Sequence, residues 1–288
     1  MRKGIKITLI IFLVLVIVFF VSILVLAITG LSFGEKIAVV EIEGIIMDTK
    51  DVLEDIVRFR EDIDIKGVIV RINSPGGSTG PTQEIFREIK KLREKKPVYI
   101  SMGAVCASGG YYIASGGNKI YALPSTITGS IGVIMENVVV EDLLKKIGIQ
   151  AEPIKAGAYK DMGSPFRKLK QEEKDYIQEI LNDIHSQFIK DIAESRKMNV
   201  DTVKQYADGR VFTGIKAKAY GLVDVIGTYY DAIEDMKKVL NIKGKPVIVK
   251  GKRPFSILKL LVASFVKEIY SEMSSLRYYA PFKFLMVN

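Results

Sequence analysis

Gly67-Val68-Ile69-Val70-Arg71-Ile72 runs without a break into Asn73-Ser74-Pro75-Gly76-Gly77. The first six residues are mostly β-branched and apolar, the composition of a buried strand, and the five behind them are turn formers at its carboxyl end. A helix follows from about Pro81, with Ile85, Ile89 and Leu92 on one stripe and Pro97 beyond its end. On the amino side, residues 37–42 read as another apolar strand and 48–61 as a helix. On the carboxyl side, a strand over 97–102 leads into Gly103-Ala104-Val105-Cys106-Ala107-Ser108-Gly109-Gly110, where the next helix opens. Strands alternating with helices at this spacing predict an α/β domain with a mainly parallel sheet.

The alternation continues with short strands predicted over 119–122, 138–140 and 152–155. A long charged helix spans 169–197, with Tyr176, Ile180, Ile184, Phe188 and Ile192 recurring near every fourth residue. A further helix is predicted over 228–240. The last stretch has another character: Ile257, Leu258, Leu261, Val262, Phe265, Ile269 and Met273 form the apolar face of an amphipathic helix. Core packing, a neighbouring protomer and a membrane surface would each bury it.

The chain of 288 residues is 48% hydrophobic and 26% charged, ordinary for one globular domain plus a short appendage. The appendage is the start: from Ile7 to Ile28 there are 22 residues without a charge, about 33 Å as a helix and enough to cross a bilayer. The run is too long, and its end too unlike a cleavage site, for a removed secretory signal, which favours an uncleaved anchor. Arg2, Lys3 and Lys6 precede it, against Lys36 alone just after it, so the amino terminus is expected in the cytoplasm and the rest outside the cell membrane. Three regions follow: cytoplasmic start and anchor over 1–30, a globular domain over 31–250, and the amphipathic helix and tail over 251–288.

One cysteine, Cys106, excludes an intrachain disulfide and a cysteine-based zinc site. The net charge of +9 comes from lysines and arginines scattered among acids along helices, not a basic patch interleaved with aromatics, so no nucleic-acid partner is expected. No metal or organic cofactor is suggested.

Ser108 follows a strand and a run of small residues, precedes two glycines, and opens a helix whose dipole favours negative charge. The bland reading is a helix N-cap. Gly76 and Gly77, behind another parallel strand, would reach the same sheet edge; one of their N–H groups, with that of Gly109, could hold the oxyanion of a tetrahedral intermediate. The usual base is missing, because the lone His185 lies mid-helix without a reason to reach a nucleophile and reads as structural or surface. Lys160, in Gly157-Ala158-Tyr159-Lys160-Asp161 after a predicted strand, is the alternative, since desolvation lowers an amine's pKa. Ser130, in Thr128-Gly129-Ser130-Ile131-Gly132, offers a hydroxyl to orient that amine. Cys106 is expected to pack inward as a small hydrophobe.

These motifs, together with Asp208-Gly209-Arg210-Val211-Phe212-Thr213-Gly214 and Gly221-Leu222-Val223-Asp224, run in order over about residues 37–240. In that combination the chain resembles the signal peptide peptidase A family, in its short form with one catalytic domain. The resemblance implies the fold of repeated β-β-α units shared with Clp protease and the crotonases. It implies Ser108 as nucleophile, Lys160 as general base, Ser130 as its orienting hydroxyl, and an oxyanion hole from the Gly76-Gly77 loop. It further implies hydrolysis of remnant signal peptides after leader peptidase, in a ring-shaped homo-oligomer whose Lys160 and Ser108 meet within one subunit or between two. A stomatin-associated membrane peptidase with a similar dyad, a crotonase-like acyl-CoA enzyme and a non-catalytic membrane scaffold are the competing readings. No paired carboxylates follow Ser108, which weighs against the acyl-CoA reading, and Ser108, Lys160 and Ser130 together weigh against the scaffold.

Overall fold

The computed structural model describes residues 2–29 and 34–251. The chain divides into compact units Met1–Gly251 and Lys252–Asn288. The second unit, with nearly all of the expected amphipathic helix and tail, lies outside the described residues. The first helix, α1, spans Arg2–Thr29. Its side chains are described over residues 11–24, where apolar residues are mostly exposed. Among the described residues no helix is long and apolar enough to cross a membrane; the span expected over 7–28 extends beyond the side chains described.

The domain begins with β1 (Lys36–Glu43), α2 (Lys50–Glu61), β2 (Ile65–Ser74), α3 (Thr79–Lys95), β3 (Val98–Ala107) and α4 (Gly109–Ser115). It continues with β4 (Lys119–Ala122), β5 (Ile127–Gly129), α5 (Glu141–Lys146), α6 (Gln171–Arg196) and α7 (Val200–Lys204). The last elements are β6 (Val211–Thr213), α8 (Gly214–Ala219), β7 (Val225–Ile226), α9 (Tyr229–Val239) and β8 (Val247–Lys250). All of these strands belong to one sheet of order β6-β5-β3-β2-β1-β8, with β4 pairing β3 and β7 off that path. Every pairing is parallel except β5 with β6.

Register explains the core. Val40, Val70 and Ile100 lie opposite one another on β1, β2 and β3 and pack with Ile56, Phe59, Ile85 and Ile89 from α2 and α3. Their neighbours Val39, Ile69 and Tyr99 point to the other face and pack with Ala232, Ile233 and Met236 of α9. A parallel sheet buried on both sides needs the continuous apolar runs that these strands carry.

The expected strands need correction. Residues 138–140 and 152–155 form no strand, because no strand lies beside them to take up their backbone groups; Val138 is 72% and Ile154 fully exposed. The third strand continues past residue 102 to Ala107, since a register shift lets Val105–Ala107 pair with Ile127–Gly129. Finally, β5, β6, β7 and β8 are not among the expected strands; for β8, Val247-Ile248-Val249 supplies the β-branched run and pairs with β1.

The start of α6 is tied to the preceding loop by Arg167. Its guanidinium donates to Glu173 at 2.5 and 2.7 Å and to Asp161 at 2.8 and 2.9 Å. Glu173 also accepts the Lys170 N–H at 2.9 Å, one half of a capping box. Arg167 beside it holds the Glu173 carboxyl down at about 2 and keeps that of Asp161 well below the usual carboxylate range.

Two outcomes are expected. Ile100, wholly buried, should cost about 2–5 kcal/mol of unfolding free energy when changed to Ala, read from denaturant midpoints; a loss below about 1 kcal/mol would contradict this packing. Depressed carboxylate pKa values stabilise the fold above their ordinary range and cease to do so as pH falls through the folded values. The melting-temperature gap between wild type and Arg167→Ala should therefore be full at pH 7 and close as pH drops from about 4.5 toward about 2. A gap independent of pH would refute the ion network.

Candidate active site

Ser108 joins β3 to α4 with φ of 52° and ψ of −121°. A residue with a β-carbon is strained at positive φ, and such strain persists only where the surroundings enforce it. The Ser108 N–H donates to the Gly129 carbonyl at 2.8 Å, and the Ser108 carbonyl accepts the Tyr112 N–H at 2.9 Å. The Thr128 hydroxyl donates to the Cys106 carbonyl at 2.6 Å, binding the same two strand ends together. The serine side chain is thus presented at the sheet edge, half-buried.

The Ser74–Ser78 loop presses against this turn. Gly76 has φ of 108°, and a β-carbon there would stand 2.8 Å from the Gly109 nitrogen and 2.9 Å from the Ser108 β-carbon. One on Gly77 would stand 2.1 Å from the Ile46 carbonyl oxygen, to which the Ser78 N–H donates at 2.8 Å. Only glycine allows this approach.

The three glycines expected to face an oxyanion are not equivalent. The Gly76 N–H donates to Ser74 Oγ at 3.1 Å, which removes it from the set. The N–H groups of Gly77 and Gly109 have no acceptor among the described residues, and both glycines line, with Ser108, a cavity of about 100 Å³. Val133, Ile134, Tyr112, Ile184 and Phe188 make its apolar wall. The ring of Tyr112 is held between Phe86 and Phe188, at 4.8 and 4.5 Å. Helical periodicity predicts for Ile184 and Phe188 a packing stripe alone, because it gives a face and not what stands opposite.

A second cavity, about 420 Å³, adjoins the first, sharing Ser108, Gly132, Val133 and Ile134 with it, and is lined also by Ser130, Asn182, His185 and Gly209. Ser130 sits at φ of 50°, its N–H donating to the Arg210 carbonyl at 2.9 Å. His185, expected to be structural or superficial, is partly exposed and borders this cavity. The reason is the placement of α6, whose inner face crosses the Ser108 turn.

Lys160 is elsewhere. It is exposed in the turns over 157–164, its N–H donating to the Gly157 carbonyl at 3.2 Å. Among the described residues its amine makes no hydrogen bond or ion pair, and it lines neither cavity. One chain therefore brings together Ser108, Ser130, Gly77 and Gly109, and leaves Lys160 outside. Cys106 is fully buried, and that burial pushes its thiol up, away from the thiolate a nucleophile needs.

Comparison with known proteins matches this picture. The family model for peptidase family S49 matches residues 90–243, and that for Clp protease matches residues 35–131; the parallel sheet is consistent with a Clp-like fold. A Methanocaldococcus jannaschii protein, named provisionally as a protease, is 35% identical over 87% of either chain. An Enterococcus faecium protein, named provisionally as the signal peptide peptidase SppA, is 37% identical over 75% of this chain and 67% of its own. The chloroplastic serine protease SPPA of Arabidopsis thaliana is 39% identical over 73% of this chain and 31% of its own. With the family model matching residues 90–243 and more than a third of its residues identical to these relatives over most of its length, the chain belongs to peptidase family S49 and is a serine peptidase.

Proposed function

We propose that this serine peptidase works by a Ser-Lys dyad, with Ser108 as nucleophile and Lys160 as general base, and that it hydrolyses remnant signal peptides at the outer face of the cell membrane. The observation that carries the reading is the strained Ser108 turn, with the free N–H groups of Gly77 and Gly109 beside it. Ser108 Oγ attacks the peptide carbonyl as the lysine amine takes its proton. The two N–H groups hold the oxyanion, the amine returns the proton to the leaving nitrogen, and water then releases the acyl group. Ser130 holds the amine in line.

A lysine must shed its proton to act as a base, and burial is the physical route. The arm around Lys160 exposes Ile134, Val138, Leu143, Ile147, Ile149 and Ile154, an apolar surface that a second copy would cover while enclosing the amine. We therefore read the dyad as formed between neighbours in a ring-shaped homo-oligomer. The apolar wall of the small cavity beside Ser108 suits the side chains of signal peptides, and the Enterococcus faecium relative carries that activity in its name. The uncharged run over 7–28 and the basic residues before it support a single-pass anchor with a cytoplasmic amino terminus.

With the full chain in detergent and a synthetic signal peptide, Ser108→Ala and Lys160→Ala should each lower kcat at least about a thousandfold. Mixing the two inactive variants should restore measurable turnover, because some interfaces then pair an intact serine with an intact lysine. A mixture that stays inactive after subunit exchange would overturn pairing between neighbours, and full activity of either variant would overturn the dyad. Gly77→Ala, which displaces the loop from Ile46, should cost about a hundredfold in kcat with KM little changed.

A further inference from the structure

Asp161 follows Lys160 directly in the chain, and the acyl-transfer chemistry gives it no role. A carboxylate beside the amine of a general base works against the reaction, because it favours the ammonium, the form that cannot accept a proton. The effect grows when a neighbouring subunit covers the pair, since opposite charges attract more strongly away from water. Yet the two side chains differ in their surroundings. Lys160 is exposed and its amine has no partner among the described residues, whereas the Asp161 side chain is 12% exposed and both of its oxygens are bonded.

What bonds them is a cluster of two cations and two carboxylates. Arg167 donates from Nε to Asp161 Oδ2 at 2.8 Å and from Nη2 to Oδ1 at 2.9 Å, and Lys155 donates to the same Oδ1. Glu173, in the first turn of α6, accepts from both terminal nitrogens of Arg167. The charges that act on Asp161 are thus Lys155 and Arg167 from its own segment and Glu173 from α6, and the cations hold its carboxyl well below the usual carboxylate range. The same two cations grip the main chain on either side of Lys160. Lys155 donates to the Ala158 carbonyl at 3.0 Å, and Arg167 to the Asp161 carbonyl at 3.3 Å. Tyr159 packs against Tyr176 of α6, with ring centroids 5.7 Å apart.

We propose that Arg167 is a positioning residue for the general base: with Lys155 it keeps the Asp161 carboxylate occupied and its charge balanced, so that the Lys160 amine meets no free carboxylate when it must be neutral. This rests on the reading of Lys160 as the base. A tie between loop and helix alone would lower stability, and activity alike at every pH. The charge role demands more, with opposite signs for the two partners. Arg167→Gln leaves a surplus negative charge near the amine, which then gives up its proton only at higher pH. Asp161→Asn leaves a surplus positive charge, and the proton departs at lower pH.

The test uses the full chain in detergent and a fluorogenic synthetic signal peptide. The pH profile of kcat/KM is measured for wild type, Arg167→Gln, Asp161→Asn and the double variant, and its acid limb reports the base of the free enzyme. That limb should move up by about one pH unit in Arg167→Gln and down by about half a unit in Asp161→Asn. In the double variant, where the cluster is balanced again, it should return to within about 0.3 unit of wild type, and Arg167→Lys should hold it there. An unmoved limb in a folded Arg167→Gln protein overturns the proposal. So does a double variant shifted as far as Arg167→Gln, since the effect would then come from lost contacts and not from charge. Should Arg167→Gln not fold, Lys155→Gln takes its place, alone and combined with Asp161→Asn, and the same upward shift and return are required. Hydrolysis by Lys160→Ala at the wild-type rate would instead sink the dyad reading beneath the proposal.

Discussion

The hydrogen bond from the Ser108 N–H to the Gly129 carbonyl, at 2.8 Å, is the constraint on which the site depends. It locks the end of β3 to the end of β5 and so forces the residue between strand and helix into a conformation that a serine on its own would leave. The Ser74–Ser78 loop wedges against the other side, with room only for glycine. Gly77 and Gly109, whose N–H groups have no acceptor among the described residues, line the same small cavity as the serine. The sheet beneath supplies the rigidity: three parallel strands in register, buried on both faces, hold these loops at one edge.

That rigidity contrasts with the segment that carries Lys160. Between β5 and α6 the chain makes no further strand and turns apolar side chains outward. Its attachment is polar and local, through Arg167 to Asp161 and Glu173 at the start of α6. A domain with so well-packed a core has no evident need to leave isoleucines in water, and a lysine is a poor base there. Both features make sense together if another subunit completes the site: covering the apolar arm and desolvating the amine are then one event.

Much of this was legible in the sequence. The runs at 37–42 and 67–72 announce buried parallel strands, and Ala107-Ser108-Gly109-Gly110 announces a sharp, unshielded turn, because β-branched residues and glycines act locally. Val138-Val139-Val140 misled for the same reason: it has the composition of a strand, but a strand needs a neighbour, and β6 already occupies that edge of the sheet. The distinction between Gly76 and Gly77 was out of reach, since it turns on the direction of each N–H and on the hydroxyl of Ser74. That His185 borders a cavity with Ser108 was not readable, because helical spacing tells which residues share a face and nothing about the loop that the face crosses. The position of Lys160 was open from the outset, as a sequence does not say whether its partners lie in the same chain.

The central claim is therefore geometric, and a structure of the assembled full chain at side-chain resolution tests it most directly. The account expects the Nζ of Lys160 from one subunit within about 3.2 Å of Ser108 Oγ in another, enclosed by the apolar arm. An assembly, or an active monomer, in which no copy of that amine approaches that oxygen would contradict it.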